Sequence, residues 1–377
     1  MAEPISRPLF DAFPALRDRV PFVSLADLPT PLEPMERLSA EVGSEVWVKR
    51  DGLSHPVYGG NKVRKFEFVF GDVLRTKARA VLTGGGLGSH HTVATAVVAR
   101  QLGLQAVCSY YCQPLTKEVH HNLQLGPTLG IDAHFCGDYV GLAISFAWQY
   151  ARWLVRTGRR PYFIYPGASG VLGILGYVNT AFELVQQLDE LAAPAPDAVF
   201  VAAGSCGTFA GLLLGARLAG LDSRIVGVRV IEENVANRPK VARLANRTAR
   251  YLHQRDTTIP PIAFNAEEVE LLDGYVGPAY AYPTAGAKGA VDLVARTEGL
   301  PLETTYTGKA MAALLDYAAK HPGKRLLFVD TFTEGCTLHQ GDWHALPERF
   351  WPVFDPAHEA RCWCVRAWRD PTFCWKK

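Results

Sequence analysis

The 377-residue chain lacks any uninterrupted apolar run close to the 18 or so residues needed to cross a bilayer, so no membrane partner is expected. Its first twenty residues lack an apolar signal core and carry Glu3, Arg7, Asp11, Arg17, Asp18 and Arg19, which points to a cytoplasmic protein. An excess of one charge is missing too, with 39 basic against 37 acidic side chains and a net of +2. A nucleic-acid partner normally shows as a basic excess or stripe, and none is expected. Cysteine is sparse: eight residues do not reach the density of a secreted disulfide scaffold. No internal repeat is found.

What the chain does have is apolar content, 48% hydrophobic against 20% charged, enough to offset the entropy of ordering a compact body. At about 150 residues per domain, the length predicts two or three domains. Short β-rich runs alternate with longer helical patterns, the signature of an α/β fold with mainly parallel sheets. Strands are expected at 45–49, 80–83, 105–110, 133–136, 162–165, 198–202, 225–230 and 325–329. Helices are expected at 61–75, 90–102, 116–125, 142–156 and 171–188, with another beginning near Phe209.

Three glycine clusters stand where a loop would lead into a helix. They are Gly59-Gly60-Asn61-Lys62, Gly84-Gly85-Gly86-Leu87-Gly88-Ser89 and Gly204-Ser205-Cys206-Gly207-Thr208. Such a turn lets the backbone approach a phosphate, while the amides and dipole of the following helix favour the anion. The third cluster suits this best, because Ser205 and Thr208 add hydroxyls. Its glycines, Gly204, Gly207 and Gly211, fail the dinucleotide spacing, and no P-loop lysine follows. The plain alternative is that these glycines only allow close packing of helix on sheet.

Lys62 is unusual because a lysine at a helix start opposes the helix dipole. A lysine amine that is desolvated or held near other cations loses its proton more readily and can form a Schiff base with a carbonyl. Arg64 and Lys65 follow closely, Lys65 being expected on the solvated surface. An amine nucleophile, a phosphate cradle and a second anion-binding helix start are the parts that pyridoxal 5'-phosphate chemistry on an amino acid needs.

The run Tyr58-Gly59-Gly60-Asn61-Lys62-Val63-Arg64-Lys65, with Thr83-Gly84-Gly85 to Ser89, resembles the 1-aminocyclopropane-1-carboxylate deaminase and D-cysteine desulfhydrase family of fold-type II pyridoxal-phosphate enzymes. Tyr275 to Tyr280, Ala295 to Gly299 and Tyr306-Thr307-Gly308-Lys309-Ala310-Met311 match the same family, so the resemblance runs from about Leu28 to Val329. It implies two three-layer α/β/α domains with the active site in the cleft between them: residues 1–65 and 167–346 form the large cofactor domain, 66–166 the small one, and 347–377 a Trp/Cys-rich extension. A homodimer acting on a small amino acid is implied as well.

By this resemblance Lys62 carries the cofactor, Asn61 neighbours it, and Gly204, Ser205, Cys206, Gly207 and Thr208 hold its phosphate. Ser89 would meet the substrate carboxylate and assist at the α-carbon, although Ser89 alone reads as an ordinary helix cap. Tyr280 and Tyr306 would face the substrate as donors or acid/base groups, with core packing as their alternative.

The chain departs from the family in three places. Thr307 stands where the cyclopropane deaminases have a glutamate near the pyridine nitrogen, which leaves a weaker electron sink and favours β-elimination, a lyase reaction. His90-His91 follow Ser89 where asparagine and then glutamine or histidine are usual. His90 would then contact the cofactor and both histidines the substrate. No metal is expected on the pair, since adjacent helix residues point about 100° apart. After the last strand, Asp330-Thr331-Phe332-Thr333 replaces His-Thr-Gly-Gly, so Thr331 keeps a hydroxyl for the pyridine side while Phe332 thickens the wall.

The expected activity is α,β-elimination to pyruvate or another 2-oxo acid and ammonia. The alternatives are cyclopropane ring opening, β-replacement or racemisation, and a cofactor-binding protein without turnover. Cys362, Cys364 and Cys374 with His358 could hold zinc, but packing by the surrounding tryptophans is the reading adopted.

Overall fold

The computed structural model describes residues 7–333 and 335–355. His358 and the tail cysteines and tryptophans from Cys362 onward lie outside the described residues. In chain order the strands are β1 (Leu32–Pro34), β2 (Glu45–Arg50), β3 (Ala80–Gly86), β4 (Gln105–Tyr111), β5 (Asp132–Gly137), β6 (Tyr162–Phe163), β7 (Ala198–Ala203), β8 (Arg224–Arg229), β9 (Leu271–Leu272) and β10 (Arg325–Asp330). The helices are α1 (Pro8–Ala12), α2 (Leu16–Arg19), α3 (Glu36–Val42), α4 (Asn61–Arg75), α5 (His90–Gln101), α6 (Lys117–Leu129), α7 (Tyr139–Thr157), α8 (Val171–Glu190), α9 (Gly207–Ala219), α10 (Arg238–His253), α11 (Ala285–Glu298) and α12 (Thr307–Lys320). Among the described residues, no helix is long and apolar enough to cross a membrane.

The chain divides into two compact units. One holds the described residues up to Asp72 together with Ala168–Cys336; the other holds Val73–Gly167 and the described residues from Thr337.

The larger unit is built on a six-stranded sheet in the order β1-β2-β10-β7-β8-β9, parallel except for β1. Strand β7 shows why it has layers on both faces. Val199, Val201 and Ala203 pack with α1, α8, α9 and α10, while the intervening Ala198, Phe200 and Ala202 pack with α3, α11 and α12. The two-residue period of a fully buried strand is thus spent on two separate cores. Because β2, β10 and β7 are adjacent and parallel, their carboxyl ends bring three chain segments side by side. These lead to Gly60, Thr331 and Gly204, at the crevice where open parallel sheets bind ligands.

The smaller unit has a parallel sheet in the order β5-β4-β3-β6. From β3 to β5 the chain steps one way, then returns across the sheet to β6. Right-handed crossovers therefore place α5 and α6 on one face and α7 on the other. The glycine run expected as a loop is largely strand: Gly84, Gly85 and Gly86 continue β3 in register with Ser109, Tyr110 and Tyr111 of β4. Glycine has low strand propensity, but here each is buried and the ladder extends through them.

Residues 337–346, expected in the large domain, group instead with the small unit. Gly341 donates to the carbonyl of Gln124 at 2.8 Å, and the carbonyl of His339 accepts from Thr128 at 3.0 Å. Buried Phe350 sets its ring edge-on to Tyr110 and Phe135, each at 5.6 Å.

Candidate active site

Lys62 is the second residue of α4. The turn before it needs Gly60, whose φ of +96° is left-handed and whose missing side chain would lie 2.9 Å from the carbonyl oxygen of Thr331. That same carbonyl accepts the N–H of Asn61 at 3.3 Å, so the end of β10 fixes the start of α4. Burial pushes the Lys62 ammonium down to about 8, against the opposing pull of the Glu303 carboxylate. Its Nζ donates to Asn61 Oδ1 at 2.7 Å, and Asn61 Nδ2 donates to Thr208 Oγ1 at 3.0 Å. Asparagine thereby joins the lysine to the glycine loop after β7.

In that loop, α9 begins without a side-chain cap, which leaves its amino end available to an anion. A Cβ on Gly204 would meet the Tyr306 ring at 2.8 Å, and one on Gly207 would meet Ser169 Oγ at 2.3 Å. The hydroxyls of Ser205 and Ser169 share a hydrogen bond of 2.7 Å. Cys206 takes a left-handed φ of +72° and turns its thiol into the core, where burial raises the thiol pKa. Its contribution to the loop is backbone rather than side chain.

The phenols of Tyr280 and Tyr306 share a hydrogen bond of 2.7 Å, with ring centroids 6.1 Å apart. Tyr306 packs against Gly204, so this pair stands beside the glycine loop. Each phenol can donate one proton and accept another, and a pair can pass one along. Glu303 prepares this corner: its carboxylate accepts the N–H groups of Thr305, Tyr306 and Thr307 at 2.6, 2.7 and 2.8 Å, capping α12. Thr307 is buried and its hydroxyl hydrogen-bonds with Glu303. Thr331 is half-buried at the end of β10.

The small unit holds the remaining expected residues. Ser89 caps α5, its Oγ accepting the N–H of Thr92 at 3.4 Å. His90 lies 3.5 Å from Asn122 Nδ2 through its Nδ1, whereas His91 is buried and meets Thr83 Oγ1 at 2.9 Å. The two rings thus serve different neighbours. Among the described residues, no cluster of His, Cys, Asp or Glu is arranged to hold a metal.

Four residues of this region escaped the sequence reading. They are Glu303, Ser169, Lys309 and Glu232. Lys309 is buried in α12, donates to the carbonyl of Val276 at 2.6 Å, and has its ammonium pushed down to about 8 by burial. Its place within Tyr306-Thr307-Gly308-Lys309 was a usable signal. Lys65, expected in solvent, is also fully buried, and burial lowers its pKa strongly, with the Lys62 charge adding to the effect.

The fold and these groups define an α/β enzyme with a desolvated lysine and an anion cradle at the carboxyl ends of parallel strands. The model of the pyridoxal-phosphate dependent enzyme family matches residues 23–331, and the chain belongs to that family. It is similar to the D-cysteine desulfhydrases of Klebsiella pneumoniae subsp. pneumoniae and Salmonella typhi. Each is 36% identical over 303 residues, covering 79% of this chain and 88% of the relative. The crystal structure of an ACC deaminase homologue matches with a TM-score of 0.75 and 32% identity, covering 91% of this chain and 100% of that one. A fungal L-serine ammonia-lyase from Rhizomucor miehei shares the fold, with a TM-score of 0.58 and 19% identity over 83% of this chain and 95% of that one. The architecture is that of fold-type II enzymes, and pyridoxal phosphate is the cofactor. The residues present fit it: the uncapped start of α9 offers its backbone amides to an anion, and a desolvated amine lies one hydrogen-bonded residue away.

Proposed function

We propose that this chain is a lyase that removes a β-substituent from a small amino acid by α,β-elimination, releasing a 2-oxo acid and ammonia, as a D-cysteine desulfhydrase does. The observation that carries the reading is Lys62, half-buried with its ammonium lowered by desolvation to about 8 and linked through Asn61 to Thr208. A lysine in that state is a free amine for a useful fraction of the time near neutral pH.

Gly204, Ser205, Cys206, Gly207 and Thr208 would hold the cofactor phosphate, with Asn61, His90, Thr307 and Thr331 as further neighbours. When bound, the cofactor supplies a ring that withdraws electrons from the α-carbon of the joined amino acid. Lys62 Nζ takes the α-proton, and Ser89, at the start of α5, receives the substrate carboxylate and assists that transfer. His90 would contact the substrate from the start of the same helix, and His91, buried against Thr83, would border the substrate from a different direction. Tyr280 and Tyr306 hold or move a proton at the departing group, for which their shared hydrogen bond prepares them. Thr307 offers a hydroxyl rather than a carboxylate, and that hydroxyl is engaged by Glu303. This favours elimination, where the leaving group carries electrons away.

Lys62→Ala should abolish 2-oxo acid release from D-cysteine and β-chloroalanine together with the visible band of the bound cofactor. Persistence of both would refute the assignment. Similarity to the ACC deaminase homologue supports a second reading, ring opening of the cyclopropane amino acid, and the same product analysis separates the two. A spectrum unresponsive to every amino acid would instead favour a binding protein without turnover. We also propose a cytoplasmic homodimer, to be tested by sedimentation and cell fractionation.

A further inference from the structure

Glu232 lies just past β8. Two residues earlier, Val230 donates its N–H to the carbonyl of Ala203 at 3.3 Å, and Ala203 immediately precedes Gly204. The carboxylate therefore leaves the backbone beside the glycine loop. Its Oε1 accepts the N–H of Tyr280 at 2.9 Å, and Tyr280 in turn shares its phenol hydrogen bond with Tyr306, which packs on Gly204. Oε2 is shut off from solvent and has no hydrogen-bond partner among the described residues. Lys309 lies within reach of the field of Glu232, but its Nζ donates to the carbonyl of Val276. A buried carboxylate oxygen left without a donor is costly, which marks it as a position for a donor brought from outside.

The amino acid supplies few candidates for that donor. Its α-carboxylate is an anion that Glu232 would repel, and its α-amino group is taken up in joining the cofactor. The side chain remains. We propose that Glu232 Oε2 reads the substrate side chain and selects those ending in an N–H or O–H donor, an ammonium above all, against those ending in a methyl or a carboxylate. This rests on the proposed amino-acid lyase site and adds the substrate class to it. The matching substrate is an alanine bearing a cationic or hydroxyl β-substituent. For β-aminoalanine, the Cα–H and Cβ–N bonds break to release the first ammonia, and one water then replaces the Cα–N bond, its oxygen becoming the keto oxygen of pyruvate as the second ammonia leaves.

The test uses the cofactor-loaded wild-type protein, Glu232→Gln and Glu232→Ala with both enantiomers of β-aminoalanine, serine, alanine and aspartate. Calorimetry gives binding, and pyruvate release gives kcat/KM. A hydrogen bond to a charged group predicts that the wild type binds β-aminoalanine about 10- to 100-fold more tightly than alanine. Glu232→Gln keeps an oxygen for the Tyr280 N–H but places an amide donor where Oε2 was. It should erase the preference while leaving alanine binding within about twofold; a role confined to holding the Tyr280 loop would leave the ratio intact. Glu232→Ala should erase the preference too and also lower kcat. An unchanged ratio in Glu232→Gln, or a wild-type preference for alanine or aspartate, overturns the inference and leaves the lyase reading standing if Lys62-dependent turnover persists. Absence of both binding and turnover for every amino acid tested overturns both.

Discussion

Beneath Lys62 lies a buried set of charges whose removal should be expensive. Arg64, on the first turn of α4, donates to Glu183 at 2.8 Å through both terminal nitrogens, and to Asp51 at 2.8 and 2.9 Å. Lys49 Nζ meets Glu183 Oε1 at 2.5 Å and the carbonyl of Thr30 at 2.6 Å. Tyr177 donates to the second oxygen of Asp51. Two cations face two anions, and none of the four side chains is more than 3% exposed. Burial alone would raise the Glu183 carboxyl, yet Arg64 and Lys49 hold it at about 2, while burial pushes Lys49 down to about 8. The intact set adds little net stability, because desolvating the cations offsets what the anions gain. Glu183→Gln leaves an uncompensated positive charge in the core and should cost about 3–5 kcal/mol.

The pH dependence gives the sharper check. Without Glu183 the Lys49 pKa falls below its present value of about 8, so the folded variant sheds a proton that the unfolded chain keeps. Stability of the variant should therefore rise with pH from below 8 upward, whereas the Lys49 contribution in the wild type is flat until about 8. The deficit should be larger in the window between the ordinary Glu183 carboxyl value of 4.5 and the Lys49 value of about 8 than at alkaline pH, and should shrink below 4.5, where the wild type loses the Glu183 contribution. Urea unfolding across that range, followed by fluorescence, measures it. A deficit under about 1 kcal/mol with no pH trend would refute the reasoning. Cofactor retention should weaken as well, because Arg64 shares the first turn of α4 with Lys62.

Uptake of cofactor by the apoenzyme should speed up as pH rises through about 8, the range in which burial places the Lys62 ammonium, and stopped-flow absorbance would follow it. Glu303→Gln should move that apparent pKa lower, since the carboxylate now pulls it up. Gly207→Ala would set a methyl 2.3 Å from Ser169 Oγ and should weaken cofactor binding about tenfold or more, with partial recovery in the double variant carrying Ser169→Gly. Tyr306→Phe removes one partner of the phenol pair, and kcat should fall about 100-fold with the cofactor band retained.

How much of this was legible beforehand follows from where each kind of information resides. The parallel strands were readable because a strand such as β7, buried on both faces, leaves an apolar run bounded by glycine. Helix α4 was bounded correctly at 61–75 because its apolar period and the glycine pair before it agree. Strands β1 and β9, of three and two residues, leave no pattern to read. The run Gly84–Gly86 was misread as loop because local propensity carries no knowledge of the partner strand; pairing with Ser109–Tyr111 overrides it.

At the candidate site, residues whose own type suggests chemistry stand out in the sequence, as Lys62 and the Gly204 loop do. Residues that act by burial do not. Lys65 looks like any charged helix residue until the fold encloses it, and Glu232 and Glu233 are neighbours of the same type with opposite fates. Glu233 is exposed, whereas Glu232 turns toward Tyr280, which lies 48 positions later in the chain. Its meaning comes from an oxygen that the fold leaves unpaired, and a partnerless group can be recognised only once every possible partner has been placed.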